Sequence, residues 1–189
     1  KEAYDRATSV YLVDRVVPML PEKLSNGVCS LSANEDKLCF SAVFELDENA
    51  NIKKQWVGRT VINSDRRFNY DEAQKIIDTG EGDFNEVILT LNDLAIKLKN
   101  QRFKNGAIAF DREEVKFYLD EKGKPTGVYF KVAKQSNNLI EEFMLLANKK
   151  VAELIGNPKD KSKPRTFVYR IHDRPDPEKL ESFNNFIGK

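Results

Sequence analysis

Residues 38–64, LCFSAVFELDENANIKKQWVGRTVINS, settle the character of the fold. In the first half, apolar side chains recur at every second position: Leu38, Phe40, Ala42, Phe44 and Leu46. That period places them on one face of an extended strand. The run ENAN (48–51) is a turn signal, and residues 52–64 read as the returning strand, so an antiparallel hairpin is expected.

Upstream, residues 8–31 (TSVYLVDRVVPMLPEKLSNGVCSL) resist the same treatment. Apolar side chains are plentiful, yet Pro18 and Pro21 lack an amide donor and push Val17 and Leu20 toward extended geometry. Ser25, Asn26 and Gly27 add a turn signal. Neither a helix nor a central strand is expected here.

Downstream the period lengthens. A short helix is expected over 70–78, stopped by Thr79 and Gly80. Residues 85–106 carry Val87, Ile88, Leu91, Leu94, Ala95 and Leu98 at helical spacing and end in Asn105–Gly106. Short strands follow around 107–110, 115–121 and 127–133. The clearest helix spans 137–156, with Asn138 as its cap and Glu141 three residues on. Ile140, Met144, Ala147, Val151 and Leu154 form its expected buried stripe, widened by Leu139, Phe143 and Leu146. A strand at 166–172 and a helix at 175–187 complete the pattern. The class is α+β (mixed α/β), a largely antiparallel sheet covered by helices.

The chain has 189 residues, with 31 basic against 30 acidic side chains, so its net charge of +1 decides nothing about a polyanionic partner. A 40% hydrophobic content suits a packed domain. Cys29 and Cys39, without a secretory signal, read as free thiols in a reducing compartment. No apolar run is long enough to span a bilayer, so no membrane partner is expected. The chain starts at Lys1 with no targeting pattern, which suggests a piece of something longer.

Phosphate-binding loops, nucleophile elbows and zinc spacings are missing from the sequence. Asp65, Asp71 and Glu72, flanked by Arg66 and Arg67, read as a solvated turn before a helix. Two basic groups could neutralise phosphates: Lys97, Lys99, Arg102 and Lys104, and then Lys159, Lys161, Lys163, Arg165, Arg170 and Arg174. Tyr11, Tyr70 and Phe110 sit where regular elements begin or end. Such rings are either core aromatics or platforms on which single-stranded bases stack.

Five blocks, taken together, resemble a known family: TSVYLVDRVVPMLPEKLSNGVCSL, VINSDRRFNYDEAQ, NGAIAFDREEVKFYLDEKG, SNNLIEEFMLLANKKVA and FVYRIHDRPDPEKLESF. In that order they are similar to the central part of the RNB catalytic domain of the ribonuclease II / ribonuclease R family, most of all to bacterial ribonuclease R. The resemblance covers nearly the whole chain. It implies a cytoplasmic enzyme that degrades single-stranded RNA processively from the 3′ end to nucleoside 5′-monophosphates. A divalent metal, Mg2+, held by aspartates would assist it, and oligonucleotide-binding barrels would flank the domain.

By motif, the resemblance makes Tyr11 the ring against the 3′-terminal nucleotide and Phe110 its partner from the other side. The proline segment becomes the stiff loop that fixes Tyr11. Tyr70 and Glu141 would contact a base and a ribose, with Asn137 joining Glu141. A carboxylate accepting from a 2′-hydroxyl favours RNA over DNA. Glu141 has an alternative role, as a first-turn acid that stabilises a helix end. Ala7 stands where the family often has glycine.

The family's metal-binding aspartates lie just upstream of the TSVY block, and its arginine-bearing block lies downstream of FVYRIHD; neither is among these residues. Residues 1–189 are therefore expected to be the central part of one RNB domain, with no catalytic or metal-binding residue of their own and no hydrolytic activity in isolation. A stand-alone, non-catalytic RNA-binding module is the alternative, and a purely structural domain a third reading. Oligomeric state is left open.

Overall fold

The hairpin forms where the alternation places it. In the computed structural model, β3 (Asp36–Leu46) and β4 (Ile52–Asn63) pair antiparallel, from Asp36 opposite Asn63 to a bulge after Glu45. The described residues are 1–108, 114–156, 166–171 and 173–188, in two compact units, Lys1–Lys149 and Lys150–Lys189.

Asp47 builds the hairpin turn: its Oδ1 accepts from the amides of Asn49 at 3.0 Å and Asn51 at 2.8 Å. These bonds, the Asn51 amide foremost, pull the Asp47 carboxyl down to about 2. A carboxyl with a lowered folded-state pKa stabilises the fold above its unfolded value, near 4, and loses that contribution as pH falls through the folded value. Asp47→Asn should therefore lower the urea midpoint at neutral pH, and the gap to the parent chain should narrow between pH ~4 and ~2. A gap that ignores pH would show that the carboxylate does not hold the turn.

The hairpin's turn rests on α3 (Asn85–Lys104). Lys97 Nζ donates to the Glu48 carbonyl at 2.8 Å, and Gln101 Nε2 to the Asn49 carbonyl at 2.9 Å. Cover stops there. Ala42, Phe44 and Leu46 are half-buried, whereas Leu38 and Phe40, farther from the turn, are 87% and 69% exposed. The alternation is as expected, but only one end of the expected apolar face is buried.

α2 (Tyr70–Thr79) starts at a reciprocal cap: Asn69 Oδ1 accepts from the Glu72 amide, and Glu72 Oε2 accepts from the Asn69 amide. It stops at Gly80, φ 74°, and packs beside α3, which buries Ile88 and Ala95. β5 (Glu114–Leu119) and β6 (Pro125–Lys131) form another antiparallel hairpin, with Asp120 organising its turn. Together with β1 (Val10–Tyr11) and β2 (Val16–Val17), antiparallel pairing among the described residues is distributed over three two-stranded sheets. The α+β class stands, as a set of hairpins and helices.

The proline-rich segment is more ordered than its sequence suggested. After the short helix α1 (Glu2–Arg6), Ala7 adopts φ 60°, a left-handed conformation in which glycine carries no steric cost. The β1–β2 ribbon follows. It is tied down by Arg6 Nη1 donating to the Pro18 carbonyl at 2.5 Å and by the Met19 amide donating to Ser9 Oγ at 2.9 Å. Residues Lys23–Val28, expected as a turn, wind into one π-helical stretch closed by the Cys29 amide on the Leu24 carbonyl. Both cysteines are free.

α4 (Gln135–Gly156) begins earlier than its periodicity indicated. Asn138 therefore lies within the first turn and is not the cap, and Glu141 falls in the second turn. The buried face is also rotated from the expected stripe: Ser136, Leu139 and Glu142 are buried, while Ile140, Met144 and Leu154 are exposed. The neighbours decide this. The Ser136 amide donates to Gln74 Oε1 on α2, and Arg102 of α3 reaches Glu142.

In the second unit, residues 166–171 pair with no strand among the described residues, contrary to expectation. There the Phe167 and Tyr169 rings meet edge-on at 5.1 Å. α5 (Pro177–Ile187) is capped by Asp176, whose Oδ1 accepts from the Glu178 amide at 3.0 Å.

Candidate nucleic-acid interface

The first turns of α2 and α4 meet beside the end of β6. Lys134, just before α4, pairs with Asp71 of α2 at 2.7 Å. Asn137 Oδ1 accepts from the Lys134 amide at 3.0 Å, so the residue that anchors α2 is itself held by Asn137. The ammonium of Lys131, on β6, lies 5.9 Å from the centre of the Tyr70 ring, within the range of a cation–π contact. Lys134, by hydrogen bond first and then by charge, and Lys131 more weakly, hold the Asp71 carboxyl below its usual range.

Through Lys131, Asp71 and Lys134 this arrangement links Tyr70 to Asn137. Tyr70 opens α2, and Glu141 stands one helical turn after Asn137 on the same side of α4. Tyr70 is 46% exposed and the Glu141 side chain 50%, so both face solvent. The group offers an aromatic face, an amide, a carboxylate and two cations. That set suits a nucleotide: a ring for the base, cations for phosphate and a carboxylate for a hydroxyl.

Arg102 changes the meaning of its neighbourhood. Its Nη2 donates to Glu142 Oε1 at 2.5 Å and its Nε to Oε2 at 3.2 Å, and Nη2 stands 3.5 Å from Glu141 Oε1. The Glu142 hydrogen bond keeps the guanidinium even more firmly protonated than usual. Of the basic group at the end of α3, Arg102 is thus satisfied within the protein, and Lys97 is paired with Asp93. Lys99 lines a cavity of about 270 Å³ between α3 and α4, with Asn92, Asn138 and Leu139. Two of the four cations of the expected phosphate-neutralising cluster are thus engaged within the protein, while Lys104 is exposed. The helix-end role considered for Glu141 is also not what the fold presents, since no acid lies in the first turn of α4.

Tyr11 is 79% exposed on β1, with none of the enclosure of a core ring. Its ribbon is placed by more than its own bonds: a Cβ built on Gly123, in the β5–β6 turn, would stand 3.6 Å from the Asp14 Cβ. Phe110 lies outside the described residues, as do Lys159, Lys161, Lys163 and Arg165. Arg170 and Arg174 are described and exposed. Sequence reasoning missed Lys131, Lys134 and Glu142. Lys134 and Asp71 are 63 residues apart, and no local pattern signals such a pair.

Among the described residues, no three His, Cys, Asp or Glu side chains converge on a point that could hold a metal ion. The described donors do not fit the divalent-metal site that the family likeness implies. Nor is any described helix long and apolar enough to cross a membrane.

The fold and these blocks define a class. The RNB domain model matches residues 1–189, and the chain belongs to the RNB domain family. It is 39% identical over 203 aligned positions to DIS3-like exonuclease 2 of Schizosaccharomyces pombe, covering 99% of this chain and 22% of that protein. To ribonuclease R of Thermotoga maritima it is 36% identical, covering 99% of this chain and 26% of the relative. Among solved structures, Mycoplasma genitalium RNase R in complex with ribose-methylated single-stranded RNA superposes with a TM-score of 0.85 at 31% identity, over 99% of this chain and 29% of that one. The chain thus spans about a quarter of the length of the relatives it matches.

Proposed function

We propose that this chain is the RNA-gripping part of a 3′-to-5′ exoribonuclease. In this reading it binds the 3′ end of a single strand through Tyr70, Asn137, Glu141 and the Tyr11 ribbon, with Phe110 stacking opposite Tyr11. The observation that carries the reading is the meeting of Tyr70, Lys131, Lys134 and Asn137 at the first turns of α2 and α4, with Glu141 one helical turn after Asn137. The family match and the RNA held by the M. genitalium relative support it. Hydrolysis to nucleoside monophosphates, aided by Mg2+ in the cytoplasm, is the activity assigned to the protein that carries the metal-binding aspartates.

The test is a titration of the chain with a fluorescent single-stranded oligoadenylate at several salt concentrations. Affinity is expected to fall as salt rises, because phosphate contacts release counterions. Tyr70→Ala should weaken binding by a factor of about 5 to 150, the worth of one stacked base. With Mg2+ added, the RNA should stay at full length. Salt-independent or absent binding would reject the reading. Progressive shortening to monophosphates would reject the placement of the metal ligands outside these residues.

A further inference from the structure

We propose that Arg102 is a positioning residue: its guanidinium bridges the buried Glu142 and the exposed Glu141, and so fixes the Glu141 carboxylate in the orientation that accepts a ribose 2′-hydroxyl. The inference rests on the reading of Glu141 as a ribose contact. Glu141 and Glu142 are adjacent on α4, so their side chains leave the helix about 100° apart and cannot brace each other. Arg102, from the neighbouring helix α3, touches both.

The geometry is that of an anchored bracket. Glu142 is 3% exposed and receives two N–H bonds from Arg102, at 2.5 and 3.2 Å. A two-point bond between planar groups removes the guanidinium's rotation about its own axis. The Phe103 ring, 5.2 Å from the guanidinium carbon, backs it. The fixed Nη2 then stands 3.5 Å from Glu141 Oε1. An unrestrained surface glutamate samples many rotamers, and ordering it at the moment of binding weakens affinity. A glutamate held in advance avoids that cost, and a hydroxyl partner is sensitive to its direction.

The experiment compares single-stranded RNA with DNA of the same sequence, using the whole chain. The readout is the ratio of the two affinities, which a merely structural role would not move. Glu141→Gln should lower the ratio about tenfold, the effect of removing a charged hydrogen-bond acceptor. Arg102→Lys keeps a cation for Glu142 but loses the fork. It should lower the ratio about three- to tenfold, within the range for one charged hydrogen bond, and leave DNA affinity within about twofold.

Glu142→Gln, which keeps the buried shape and removes the anchoring charge, serves as an independent second variant and should act likewise. In the Glu141→Gln background neither change should lower the ratio further. If Arg102→Lys and Glu142→Gln weaken RNA and DNA alike, or act equally without Glu141, the bracket is overturned while the ribose contact stands. If the parent chain shows no RNA preference, or Glu141→Gln leaves the ratio unchanged, the ribose contact itself is overturned and the bracket falls with it.

Discussion

Replacing Arg102 by methionine should lower the free energy of unfolding by about 3–5 kcal/mol. The reason is Glu142, which is 3% exposed and whose carboxylate oxygens receive both of Arg102's short bonds. Removing the guanidinium leaves a buried carboxylate without its counter-charge, and desolvation then dominates. A domain of this size is stable by only about 5–15 kcal/mol, so roughly a fifth or more of the margin is at stake. The double variant Arg102→Met, Glu142→Leu should recover most of the loss, because an apolar pair of similar volume removes the stranded charge. Urea unfolding of the parent and both variants measures this. A single variant within about 1 kcal/mol of the parent would mean that Glu142 finds water or another partner when Arg102 is gone.

Tyr11→Ala should weaken binding of single-stranded RNA by a factor of about 5 to 150, corresponding to 1–3 kcal/mol for one stacked base. Its thermal midpoint should hardly change, since the ring is 79% exposed and contributes little to any core. That pairing of outcomes separates a binding ring from a structural one. Presentation is the reason for the large effect. The β1–β2 ribbon is fixed by Arg6 on Pro18 and by Ser9 on Met19, and its tip lies against the β5–β6 turn. A ring on such a support loses little freedom when a base stacks on it. Tyr11→Phe, which keeps the stacking face, should bind within about twofold of the parent. Equal affinity for Tyr11→Ala and the parent would remove Tyr11 from the RNA path.

Much of the fold was legible because its determinants are local. The two-residue period of 38–46 and Gly80 at the end of α2 each act within a few residues. The proline segment was read correctly as unable to join a central sheet. Its short ribbon escaped notice because it depends on Arg6, Ser9 and Pro18 coming together. Of the strand expected at 166–172, residues 166–171 have no partner strand among the described residues, and apolar alternation indicates a strand only when another strand is there to pair with it.

The candidate site divides in the same way. Tyr11, Tyr70, Asn137 and Glu141 were found through blocks of sequence, each short enough to carry its own signature. What surrounds them was not, because Lys134 with Asp71 and Arg102 with Glu142 are pairs joined across 63 and 40 residues.

By itself, then, the sequence determined the main hairpin, the longer helices and the likeness to the RNB family, since turns and periodicity are short-range properties of the chain. The tertiary structure alone decided which face of α4 is buried, why Leu38 and Phe40 stay in water, and that Arg102 is spoken for by two glutamates. Burial and charge pairing depend on which distant elements come into contact, and that is a property of the packed chain.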